Sequence, residues 1–111
     1  MRFVLVAWLV AGAGCLLPDS AEVSGSGVTS ERQHQSLHCT TDATLDRYAA
    51  GAGGLKIEIY DGAGATVYAA SADVAGEMTD TRDVSGALGT WMLAVDAAGF
   101  AGQFKISLSC L

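Results

Sequence analysis

Apolar and polar positions alternate in three clear runs in the second half of the chain. Leu55, Ile57 and Ile59 are interleaved with Lys56, Glu58 and Tyr60; Trp91, Leu93 and Val95 with Met92 and Ala94; Phe104, Ile106 and Leu108 with Lys105, Ser107 and Ser109. A side-chain period of two marks a half-buried strand, and the 3.6-residue period of a helix loses in every window. Glycine-rich breaks separate the runs. Further strands are expected at Leu37 to Thr40, Ala65 to Ala70 and Met78 to Val84, while Leu45 to Ala50 fits helix or strand. Six or seven short strands with turns every 8 to 12 residues or so predict an all-β fold, a small antiparallel β-sandwich of jelly-roll type, over residues 37–111.

Two hairpins can be given a register. A three-residue loop at Gly62-Ala63-Gly64 suits a turn plus bulge and sets Ile59 opposite Val67, Ile57 opposite Ala69, Tyr60 opposite Thr66 and Glu58 opposite Tyr68. Tyr60 and Tyr68 then share the outer face with Lys56 and Glu58, the best candidate binding patch, since tyrosines meet sugars and protein surfaces at little entropic cost. The plainer reading of the same four residues is cross-strand stabilisation. A second hairpin across 97–102 pairs Val95 with Phe104, Leu93 with Ile106 and Trp91 with Leu108, which makes Trp91 a core residue.

The opening of the chain follows a different pattern. Met1-Arg2 precedes an uncharged apolar run from Phe3 to Val10, then Ala11-Gly12-Ala13-Gly14-Cys15. This is the layout of an export signal, 1–14, and the apolar stretch is shorter than the 20 or so residues a permanent span needs. Gly12-Ala13-Gly14-Cys15 resembles the lipobox of bacterial lipoproteins, although the position three before the cysteine is Gly12 where the family most often has Leu. The resemblance implies cleavage before Cys15, a diacylglyceryl thioether and a further acyl chain such as palmitate on that residue, and anchorage in the cell envelope, at the outer membrane or cell surface. The alternative is an ordinary signal cut at a nearby small residue, giving a soluble secreted product. Residues 16–36, rich in Ser, Gly and charge without apolar periodicity, read as a flexible tether behind the lipidated residue.

Three cysteines are an odd number for an exported chain. If Cys15 carries lipid, Cys39 and Cys110 remain as a pair, 71 positions apart, in a compartment where disulfides persist. Both lie in the inward phase of their strands, with Leu37 and Leu108, and the alternative is two free buried thiols. From Leu37 onward 19 side chains are Val, Ile, Leu, Met, Phe or Trp, enough for one thin core in a domain of a size that ordinarily needs a staple.

Composition narrows the functional classes. A net charge of −6 argues against nucleic acid and anionic lipid as partners. His34 and His38 have helical metal-ligand spacing but lie at a strand junction, where it does not converge. Asp61, Asp80, Asp83 and Asp96 are weak calcium candidates, without EF-hand spacing. No catalytic constellation or cofactor motif is present. The stretch from Leu55 to Leu108 resembles the small sandwich modules of the prepeptidase C-terminal type, on Asp61-Gly62, Gly89-Thr90-Trp91-Met92-Leu93-Ala94-Val95 and Gly102-Gln103-Phe104-Lys105-Ile106-Ser107-Leu108. A competing likeness, to CUB domains, rests on Glu58-Ile59-Tyr60-Asp61-Gly62 and Gly99-Phe100. Such modules are accessory and non-catalytic, which implies a lipid-anchored envelope protein that binds a protein or polysaccharide or serves a structural role. The alternatives are a small exported enzyme or enzyme inhibitor, and a calcium-stabilised accessory module of a secreted system.

Overall fold

The computed structural model describes residues 18–111; the expected signal segment and Cys15 lie outside them. Five strands make up the body: β1 (Ser20–Thr29), β2 (Arg32–Cys39), β3 (Asp42–Tyr60), β4 (Thr66–Ser85) and β5 (Gly89–Cys110). Every pairing is antiparallel, in the order β1-β5-β3-β4, and β2 also pairs with β5.

The length of the strands forces them to bend. Twenty-two extended residues in β5 would run about 73 Å at 3.3 Å per residue, whereas the longest dimension of the molecule is 44 Å. The bends line up across the sheet. Gly51 pairs with both Gly76 and Gly102, and the β3–β5 register slips between Ala52 and Gly54. On the far side of β5, β1 ends at Thr29 opposite Phe100 and β2 begins at Arg32 opposite Asp96. Their junction is tied to the bend by Ala97 N–H donating to Glu31 O (2.9 Å) and Gly99 N–H to Ser30 Oγ (2.8 Å). A sheet four strands wide is thus folded over on itself, giving the two layers of a β-sandwich. The first layer holds β1 with 42–52, 75–85 and 100–110; the second holds β2 with 54–60, 66–74 and 89–96.

Glycine permits the fold-over because two backbones meet there. Gly51 and Gly102 have φ of 148° and 143°, and a Cβ on either would lie 2.1 Å from a carbonyl oxygen of the facing strand, Ala101 O or Ala50 O. In β5 the bend also carries an extra residue that changes the inward parity. Trp91, Leu93, Val95 and Ala97 are buried before it, and Phe100, Phe104, Ile106 and Leu108 after it. Phe100 and Phe104 pack edge to face at 5.8 Å. At the opposite, open end Cys39 and Cys110 form a disulfide with Cα atoms 5.4 Å apart, clasping the end of one layer to the end of the other.

Three sequence expectations are corrected. Most of the expected tether is folded: Ser20–Thr29 is paired along its length with β5, and Arg32–Cys39 extends well before Leu37. Its period of two is carried by small groups, Ala21, Val23 and Gly25, which an apolar pattern does not register. Gly25 is small because Phe104 covers it; a Cβ there would sit 2.6 Å from the Phe104 ring. Second, 91–108 is one bent strand and no hairpin, so Val95 pairs with Ile57 and Gln33, and Phe104 with Ala49 and Gly25. Third, the β3–β4 turn does set Tyr60 opposite Thr66, but a bulge then shifts the register so that Ile59 faces Tyr68 and Glu58 faces Ala69. Trp91 is core as expected, fully buried, its indole N–H donating to Ala87 O at 2.7 Å.

Candidate functional site

The bulge between Ile59 and Tyr60 divides the tyrosine patch, because a one-residue slip turns a strand side chain to the other face. Tyr68, paired with the buried Ile59, packs against the core and lies under the Arg47 guanidinium at 6.0 Å. Lys56, Glu58 and Tyr60 stay on the outer face of the second layer, where β2 brings Arg32 beside them. Arg32 Nη1 bonds Asp96 Oδ2 at 2.9 Å and Glu58 Oε1 at 3.3 Å, and Lys56 Nζ stands 4.0 Å from Glu58. Tyr60, then Glu58 and Asp96, stabilise the protonated guanidinium and push its pKa up. The polar groups of this face are therefore turned on one another.

The outer face of the first layer is arranged differently. Tyr48 stands at its centre, paired with Thr79 on one side and Lys105 on the other, and the neighbouring row is Thr81, Asp46 and Ser107. These six residues, with Arg47 and Asp80, line a hollow of about 330 Å3, at the lower end of volumes that hold a small ligand. Thr81 Oγ1 donates to Asp46 Oδ1 at 2.8 Å, and the Tyr48 hydroxyl makes a long bond of 3.5 Å to Glu77 Oε2. Lys105 Nζ is 3.7 Å from Glu22. The row reaches across three strands, about 10 Å, with one aromatic ring, two donor-acceptor hydroxyls from threonine, a carboxylate and an ammonium. Such a set meets a molecule that has an apolar ring face and a rim of hydroxyls.

Tyr48 escaped sequence reasoning because Arg47 occupies an inward position and hides the alternation of Leu45, Arg47 and Ala49 with Asp46, Tyr48 and Ala50. The Arg47 side chain, 10% exposed, is paired with Asp80 at the edge of the sandwich interior. Arg47, then Arg82, holds the Asp80 carboxyl below its ordinary pKa. Another hollow of about 240 Å3 at the fold-over is lined by Gly54, Leu55, Lys56, Ser71, Ala72, Asp73 and Ala98 and contains no aromatic ring.

The four weak calcium candidates stand at four separate places. Asp80 and Asp96 face arginines, and Asp83 is exposed on β4. Asp61 is buried in the β3–β4 turn, where its carboxylate accepts N–H bonds from Ala87 (2.9 Å), Ala65 (3.0 Å) and Ala63 (2.9 Å). The Ala87 bond leads in holding its pKa below the ordinary carboxylate value, so the group works as a brace between the turn and the β4–β5 connection. His34 and His38 are exposed on β2. Among the described residues no three His, Cys, Asp or Glu side chains converge as metal ligands.

The architecture is found in solved structures of carbohydrate-binding modules. The module TmCBM61, in complex with β-1,4-galactotriose, superposes with a TM-score of 0.53 at 11% identity, over 81% of this chain and 68% of that one. CBM6cm-2 of Cellvibrio mixtus lichenase 5A, in complex with cellotriose, gives 0.48 at 9% identity, over 87% and 91%. The C-terminal CBM6 of LamC from Zobellia galactanivorans gives 0.45 at 11% identity, over 86% and 91%. The first of these likenesses, at 11% identity, is one of fold, an antiparallel β-sandwich. No protein-family model matches the chain, and no curated protein matches it.

Proposed function

We propose that this is a lipid-anchored, non-catalytic protein of the bacterial cell envelope whose disulfide-closed sandwich binds a polysaccharide on the face around Tyr48. The observation that carries the binding reading is the hollow itself. The ring of Tyr48 offers an apolar surface for the C–H face of a sugar, and Asp46, Thr79, Thr81, Lys105 and Ser107 offer acceptors and donors to its hydroxyls. The fold shared with a module solved with β-1,4-galactotriose supports this choice of ligand. The first layer is preferred because its hollow is lined by an aromatic ring, Tyr48, which the hollow at the fold-over lacks.

Anchoring rests on the lipobox-like Gly12-Ala13-Gly14-Cys15, and two or more acyl chains hold a protein stably where one does so only marginally. Affinity electrophoresis of the mature protein through a panel of neutral β-linked galactans and glucans tests the binding. Retardation by at least one, abolished in Tyr48→Ala, is expected; a panel that leaves the protein unretarded, or a Tyr48→Ala variant retarded equally, contradicts it. Labelled palmitate tests the anchor, since incorporation should vanish in Cys15→Ala.

A further inference from the structure

We infer that the body sits directly on an uncharged lipid surface with its disulfide end down and Leu88 and Leu111 in contact with lipid. The inference rests on the acylation of Cys15 proposed above and goes beyond it in fixing the orientation. The carbonyl of Pro18 accepts the His38 N–H at 2.8 Å and that of Asp19 accepts the Cys110 N–H at 2.9 Å. The chain therefore enters the body between the ends of β2 and β5, beside the disulfide. Only Leu16 and Leu17 separate Cys15 from Pro18, so three residue steps allow at most about 11 Å between the acylated residue and that entry point. The molecule is 44 Å long. Because Ser20–Thr29 is strand, that stretch does not act as a spacer holding the body clear of the membrane.

The same end displays two of the three large exposed hydrophobic side chains among the described residues. Leu88, in the β4–β5 connection, is 62% exposed and Leu111 is 77% exposed. Leu88 projects from a braced loop. Its neighbour Ala87 donates to Asp61 and accepts the N–H of Gly62 at 3.0 Å and the indole N–H of Trp91. A leucine held outward on a stiff loop suits shallow insertion among head groups, where buried apolar area sets the binding strength. Exposed Asp19 and Asp42 flank the same end, which favours a zwitterionic surface over an anionic one. In this orientation the fold-over end, with Val28, points away from the membrane and both sheet faces stay open.

The test places a tryptophan at each end of the native acylated protein, Leu88→Trp or Val28→Trp, in phosphatidylcholine vesicles with and without brominated acyl chains. Intact mass of the same samples reports acylation at Cys15. Quenching of the added fluorescence by at least half is expected for Leu88→Trp and none for Val28→Trp. Inserting ten Gly/Ser residues between Leu17 and Pro18 should remove most of the Leu88→Trp quenching. Unquenched Leu88→Trp in a sample whose Cys15 is acylated overturns the orientation alone, as does equal quenching at both ends or quenching indifferent to the insertion. A bare Cys15 overturns the anchor, and the orientation with it.

Discussion

Removing the disulfide, with Cys39→Ala and Cys110→Ala together, should cost the fold a large share of its stability. The bridge closes a loop of 71 residues that contains all of β3 and β4 and nearly all of β5. On the chain-entropy model a loop of that length confines the unfolded chain by about 4 kcal/mol. A body of this size has a total stability on the order of 5 to 14 kcal/mol. At about 4 to 8 °C per kcal/mol for domains of 60 to 100 residues, Tm should fall by roughly 20 °C. The clasp sits at the open end, remote from the glycine fold-over, and the buried side chains of the core other than Cys39 remain. The double variant should therefore keep its strand spectrum at low temperature. Circular dichroism melts of wild type and variant, with Trp91 fluorescence as a second probe, measure the difference. A fall of under about 5 °C would refute the reasoning, since the unfolded chain would then gain little freedom when the clasp is opened.

Gly102→Ala should be far more damaging than Gly64→Ala, although both have positive φ. At Gly102 the new methyl meets Ala50 O at 2.1 Å, whereas Gly64 has open space. Losses of about 3 kcal/mol or more and about 1 kcal/mol are expected in urea titrations; equal losses would mean that the strands do not cross there. Asp61→Asn should be less stable than wild type at pH 7, with the gap closing as the pH is lowered. A carboxyl whose folded pKa is depressed stabilises the fold above its unfolded pKa of about 3.9, and that contribution is lost as pH falls through the folded value. Melts from pH 7 to pH 2.5 should show this convergence, and a gap independent of pH would mean that the charge is not what the three N–H groups hold. Tyr68→Phe should leave any saccharide binding unchanged, since the ring faces Arg47 and the core; lost retardation in affinity electrophoresis would restore the expected tyrosine pair.

The strand content and disulfide of this body are legible in the sequence where large side chains mark the period. Leu55 to Tyr60, Trp91 to Val95 and Phe104 to Leu108 read directly, and the inward phase of Cys110 follows from Leu108 as that of Cys39 follows from Leu37. What escapes is marked by small or charged residues. In β1 the inward positions are Ala21, Val23 and Gly25, so the strand looks like a linker. In β3 the inward Arg47 conceals the segment that presents Tyr48. The bends are also silent, because a glycine pair such as Gly51 and Gly102 reads equally well as a turn, and only the pairing across the sheet shows one strand folded over. Tyr60 and Tyr68 fall on different faces for a related reason: a single bulge reverses a face, and bulge position is set by the whole turn with its Asp61 brace.

The central claim, that the Tyr48 face receives a saccharide, is tested most directly by a nuclear magnetic resonance titration of the 15N-labelled mature protein with the oligosaccharide of whichever polysaccharide retards it. Amide shifts should concentrate at Asp46, Tyr48, Thr79, Thr81, Lys105 and Ser107. The contrary result is a map centred on Arg32, Glu58 and Tyr60, or shifts scattered over both layers.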